Sequence, residues 1–164
     1  MAGLDGLFQN ANWPLPSFHF EVKIGDEEWY FQDVSGLSSS VEILKYRHGK
    51  SKNFWVSKMP GMVSFEAASL KKGVFSGDTK IFEWYKKSYT SKGERKTVII
   101  SLLNERHKPE IIWTLSNAFP TNISLPSLSA ENSAVAIEEM KLEYEELTIE
   151  VAPKDLLDTL LNLL

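Results

Sequence analysis

The chain contains no cysteine, which removes structural disulfides, cysteine–zinc centres and thiol catalysis and fits a reducing compartment. Histidine is scarce. His19, His48 and His107 stand far apart in unlike contexts, so no metal-spaced cluster is read from them. No apolar run reaches the roughly 20 residues that cross a bilayer as a helix. The opening "MAGLDGLFQNANWP" has no basic start and no long apolar centre, so neither a Sec-type leader nor a membrane anchor is expected. A phosphate loop is missing too, because "LKKGVFSG" lacks the Gly-Lys-Ser/Thr ending. There is no Gly-x-Ser-x-Gly nucleophile elbow. Acidic residues outnumber basic ones 22 to 18, for a net charge of −4, which weighs against a dedicated nucleic-acid binder. The carboxylates of "EEMKLEYEELTIE" read as a solvated strand face, since their number alone places no acid–base pair in a cleft. The expectation is a protein that is not an enzyme and carries neither cofactor nor metal.

What the chain does have is enough apolar residues, 43% of 164, to build one domain around its own core. Residues 1–16 form an arm with apolar anchors at Leu4, Leu7, Phe8 and Trp13. Residues 17–152 form a β domain, and residues 153–164 a leucine-rich tail. Ser17–Ile24 alternates strictly, with Phe18, Phe20, Val22 and Ile24 on one side, the mark of a half-buried strand. "GDE" turns it into a return strand, Trp29–Val34. Lys45–Met62 is basic and carries two glycines and a proline, so it reads as a long excursion between strands.

After the strand Val63–Leu70, "SGDTKIFEWYKKSYTSKG" has helical spacing. Asp78 or Ser76 can cap it, and Ile81, Trp84, Tyr85 and Ser88 share a face. Thr97–Leu103 and Ile111–Leu115 pair as strands, and "NAFPTNISLPSLSAENS" reads as a loop. Ala134–Val151 is a long strand whose apolar parity switches at Glu145–Glu146, which predicts a bulge or kink. Pro153 can open a short helix with Leu156, Leu157, Leu160, Leu161 and Leu164 on one face.

The segments "FHFEVKIG", "FQDVSGL" and "VEILKYRHG", then "SLKKGVFSGDTKIFEWY", then "IIWTLSNAFPTNISLPSLSAENSAVAIEEMKLEYEEL" resemble, in that order, the tail tube proteins of contractile phages and phage-tail-like contractile injection systems. The resemblance covers Phe18 to about Leu147; the tail after Pro153 departs from it. It implies a mainly β fold of two packed antiparallel sheets, a β-barrel or sandwich, with one flanking α-helix. A short C-terminal helix is added from the leucine spacing. It also implies six subunits to a ring, inner sheets closing into one barrel, and rings stacking into a hollow tube similar to that of type VI secretion. A contracting sheath would drive the tube through a target envelope with cargo in its lumen. The partners implied are further copies of the chain, a sheath protein, baseplate and cap proteins and a cargo effector, with no specific nucleic acid. The location implied is assembly in the bacterial cytoplasm and then a released particle, an anchored machine or a virion tail.

Three surfaces are expected to carry contacts. Lys45, Tyr46, Arg47, Lys50, Lys52, Phe54, Trp55 and Lys58 form a basic, aromatic-bearing loop suited to an acidic neighbouring subunit or the next ring. Lys80, Glu83, Lys86 and Lys87 form a polar helix face turned to a sheath. The five tail leucines need a groove to bury them. A monomeric β-barrel holding a small apolar ligand is the alternative, and it would need an apolar interior.

Overall fold

The computed structural model describes residues 14–90, 93–131 and 133–153. In chain order the elements are β1 (Phe20–Ile24), β2 (Glu27–Trp29), β3 (Asp33–Ser35), β4 (Ser39–Tyr46), β5 (Ser57–Phe65), β6 (Ala68–Gly73), α1 (Lys80–Tyr89), β7 (Lys96–Leu103), β8 (Pro109–Ser124), β9 (Ile137–Glu143) and β10 (Glu146–Val151). Every strand pairing is antiparallel.

Two sheets share one strand. The first half of β8 pairs with β7 and β10, and β7 with β1 and then β2. The second half pairs with β9, which leads to β6 and β3. The expected closed barrel is therefore not formed by the subunit: the strand path is open, with the short strands β2 and β3 at its two ends. The space between the sheets is filled by Val22, Ile24, Leu70, Leu115, Met140 and Leu142, each at most 1% exposed, rather than kept as a ligand cavity. The expected C-terminal helix and its leucines lie outside the described residues.

The residue that lets β8 serve both sheets is Asn117. Its φ is +53°, the left-handed region that asparagine tolerates better than most residues. The extra residue shifts the strand's parity, so that Leu115 and Ala118 both point inward with no exposure. The segment read as a loop, "NAFPTNIS", is in fact strand to Ser124. Its Pro120 faces the core and coincides with a register shift against β9, where its missing N–H does least harm.

The chain crosses back between the sheets at the same place. The predicted kink falls at Tyr144–Glu145, between β9 and β10, and the Glu145 amide donates to the Ser116 carbonyl at 3.0 Å, the length of an ordinary ladder bond. The Glu145 carboxylate accepts a bond from the Asn117 side chain at 2.7 Å and another from Arg95. The two crossing points are thus tied to each other.

The helix forms as its spacing predicts. Ile81 and Trp84 are 2% exposed, and Tyr85 and Ser88 are half-buried. Asp78 accepts a bond from the Lys80 amide at 3.2 Å, one residue before the cap position held by Thr79. The other Asp78 oxygen receives the buried Lys72 ammonium at 2.5 Å, with Glu138 3.5 Å from the same nitrogen. Lys72 is only 4% exposed, and a buried cation of this kind needs such partners. Its proximity holds the Asp78 carboxyl below its ordinary value.

Candidate assembly surfaces

The excursion expected at Lys45–Met62 is largely a second hairpin. β4 pairs with β5 from Ser39↔Phe65 to Tyr46↔Ser57, so Lys45, Tyr46 and Lys58 are strand residues. Arg47, Lys50, Lys52, Phe54 and Trp55 occupy the turn between the strands. β3 runs into β4 and β5 into β6, and β3 pairs with β6. The whole of 33–73 is therefore one long ribbon whose base sits in the sheet and whose tip projects.

Gly36 sets the junction between base and tip. Its φ is +81°, and a Cβ added there would lie 2.4 Å from the Ala67 carbonyl oxygen. Only glycine fits both demands, which explains the small residues of Val34-Ser35-Gly36-Leu37. Across the gap, the Glu66 amide donates to the Ser38 carbonyl at 3.1 Å.

The tip is unlike a solvated loop. All eight residues of β4 are exposed. On one face Leu44 stands opposite Met59, at 48% and 55% exposure; on the other Ile43, at 56%, stands opposite Pro60. Phe54 and Trp55 at the turn are 97% and 70% exposed. Lys45 and Lys58 are directly opposed across the strands, an arrangement that repels unless an anion lies nearby. Arg47 donates from Nη2 to the Asn53 carbonyl at 3.2 Å and shapes the turn. An isolated two-stranded ribbon with apolar residues on both faces is marginal in water.

Composition pointed to the cations and the two turn aromatics but missed Val41, Ile43, Leu44, Met59 and Met62. The available signal was their presence at both parities, a pattern that fits a strand covered on two sides.

The helix residues Lys80, Glu83, Lys86 and Lys87 are all exposed. Three of the four already have partners within the chain. Lys80 pairs with Glu27 at 2.8 Å, which raises the lysine's pKa and lowers the glutamate's, and Glu83 accepts a bond from the Thr79 hydroxyl at 2.9 Å. Lys87 lies 3.9 Å from Glu94. Phe82 and Tyr89, unremarked in the sequence, are 54% and 63% exposed on the same helix.

A third surface is the outer edge of β10. Its one strand partner among the described residues is β8. Ile149 and Val151 share the core-facing side with their register partners Trp113 and Ile111, yet are 65% and 74% exposed. Leu156, Leu157, Leu160, Leu161 and Leu164 lie outside the described residues.

Two of the histidines are not separate in space. His107 Nδ1 lies 2.8 Å from His19 Nε2 across 88 residues of sequence, with the rings edge-to-face at a centroid distance of 4.5 Å. Among the described residues no group of three or more His, Cys, Asp or Glu stands as a metal cluster. No helix of the described residues is long and apolar enough to cross a membrane.

Comparison with known proteins bears on these surfaces. Residues 16–148 match the family model of the T4-like virus tail tube protein gp19. A chain from the extracellular contractile injection system PVC sheath–tube complex in its extended state is 31% identical, with a TM-score of 0.81, covering 93% of this chain and all of that one. A chain from the anti-feeding prophage cap, a tube-terminating cap, is 34% identical with a TM-score of 0.79, covering 86% of this chain and 93% of that one. Hcp1 from Flavobacterium johnsoniae shares the fold, with a TM-score of 0.52 at 11% identity over 84% of this chain and 99% of that one. Among curated proteins there is no match.

Proposed function

The chain belongs to the T4-like virus tail tube protein gp19 family, and on that premise we propose that it is the inner-tube subunit of a contractile injection apparatus or phage tail. Its role is structural. Six copies close into a ring, rings stack into a hollow tube, and sheath contraction drives the tube through a target envelope with cargo in the lumen. Assembly takes place in the bacterial cytoplasm, and sheath, baseplate and cap proteins complete the particle.

The observation that carries this reading is the ribbon tip, which is exposed along its whole first strand and apolar on both faces. Burying one such side chain is worth about 1.5–3 kcal/mol. A repeating assembly gains that at every subunit, whereas a monomer leaves it unused. The Lys45–Lys58 pair gives the contact its chemistry: the receiving surface on a second copy is acidic. The open edge of β10 supplies a strand-pairing surface within the ring.

The polar helix face is the surface a sheath meets. The leucine-rich sequence of 153–164 suits docking on protein rather than lipid, because Lys154 is the segment's one basic residue.

Electron microscopy of the purified full chain, beside a chain ending at Pro153, tests the reading. Rings or tubes from the full chain are expected. Compact monomers at every concentration would overturn it. Normal tubes from the shortened chain would remove the tail from the assembly contacts.

A further inference from the structure

Among the features the assembly reading does not use, the His19–His107 contact is the most highly organised. His19 precedes β1, and its carbonyl accepts the Leu103 amide at 2.9 Å, which fixes it to the end of β7. His107 sits in the turn from β7 to β8 with φ at +59°. The neighbouring Asn104 holds that turn: its Oδ1 accepts the amides of Arg106 and Lys108 at 2.8 and 3.1 Å. Its Nδ2 donates to Glu110 at 2.8 Å, and its carbonyl accepts the His107 amide at 3.0 Å. A non-glycine residue held in the left-handed region by a bonded turn is a pre-organised side chain. His107 is exposed and His19 half-buried, so the pair is reachable from solvent.

We propose that His19 Nε2 and His107 Nδ1 form a two-imidazole site for a divalent first-row transition metal, Cu²⁺ or Ni²⁺. The ligand type selects the metal: imidazole suits both ions, and affinity for nitrogen donors rises to its maximum at Cu²⁺. The observed 2.8 Å is the hydrogen bond of the metal-free pair, and it leaves the two nitrogens close enough for one ion to reach both. In the metal-free pair one ring donates a proton to the other. In the bound pair both facing nitrogens offer lone pairs, so that proton moves to the donor ring's other nitrogen and the rings turn until both lone pairs leave the line between the nitrogens and converge on the metal. No third His, Cys, Asp or Glu completes the set among the described residues. The remaining positions therefore belong to water. The site stands on one subunit's own side chains.

His48 provides an internal control, because it lies by Tyr46 with a ring-centroid distance of 6.3 Å and belongs to the ribbon, away from the pair. The full chain is titrated with CuCl₂ and with NiCl₂ in a non-coordinating buffer, followed by calorimetry and, for copper, by electron paramagnetic resonance. One equivalent per chain is expected, with coupling to two nitrogens. Outer partners of a metal ligand already cost about 10–100-fold in affinity when lost, so removing a ligand itself costs at least about ten-fold. His19→Ala and His107→Asn should each show that loss, while His48→Ala should bind like the wild type. Asparagine at 107 keeps a residue that tolerates the left-handed backbone, and circular dichroism verifies the fold of each variant. No binding by the wild type, or binding undiminished in either folded pair variant, would overturn the proposal.

Discussion

The base and the tip of the ribbon at 33–73 are the same hairpin put to opposite uses. At the base, β6 alternates buried with half-buried residues, and Ala68 and Leu70 have no exposure at all. At the tip, β4 buries nothing, though Val41, Ile43 and Leu44 are as apolar as the residues of the base. Strand pairing runs on through the ribbon apart from the break at Gly36–Ser38 and Glu66–Ala67 and a register shift between Val41 and Ile43. What separates the two is the presence of a partner layer. The base has the opposite sheet beneath it, and none of the described residues covers the tip on either face. One hairpin therefore supplies a fold at one end and, in the function proposed above, an assembly contact at the other.

That contrast predicts which changes unfold the subunit and which spare it. Leu70→Ala removes a fully buried side chain from the base and should cost about 2–5 kcal/mol, read by urea unfolding. The matched change at the tip, Leu44→Ala, should leave unfolding nearly unchanged in the monomer. Equal losses from the two would erase the distinction. Gly36→Ala tests the junction itself. The left-handed backbone and the 2.4 Å approach to the Ala67 carbonyl should cost about 1–3 kcal/mol and also re-aim the tip, so that assembly suffers in protein that still folds. Wild-type stability with normal tubes would show that the junction carries no such constraint.

A smaller effect belongs to the base's polar anchor. Because Lys72 holds the Asp78 carboxyl below its ordinary value of 3.8, the pair stabilises the fold fully above that value. The contribution is lost as pH falls through the lower folded value. Wild type should therefore lose more stability than Asp78→Asn between about pH 5 and pH 3. Parallel pH profiles would contradict this. The smallest effect on stability is expected at the helix surface. Lys86→Glu with Lys87→Glu alters exposed charges worth about 0–1 kcal/mol each. Unfolding should barely move while co-assembly with sheath protein declines. Unchanged sheath assembly would free this face of its proposed role.

The sequence made the base legible and the tip misleading, for one physical reason. Periodicity reports a core on one side, so Ser17–Ile24, the helix with Ile81 and Trp84, and the parity switch at Glu145 could all be read. The tip faces no core of its own. Its apolar residues occur at both parities among lysines, glycines and Pro60, and that composition reads as a loop. The second half of strand β8 was hidden for a different reason. Asn117 and Pro120 are turn residues by habit, and here they move one strand between two sheets. The His19–His107 contact has no local signal, because it depends on how β1 and the turn after β7 are brought together. Openness of the subunit's strand path was equally illegible, since closure depends on which edges find partners.

The most direct test of the central claim compares the full chain with one lacking 49–57, both purified, by electron microscopy alongside thermal unfolding of the dissociated subunits. The ribbon account predicts that the shortened subunit melts close to the wild type, within the effect of a changed loop, yet forms no stacked tubes. Normal tubes from the shortened chain would contradict it. So would a subunit that fails to fold, since the tip would then be serving its own chain.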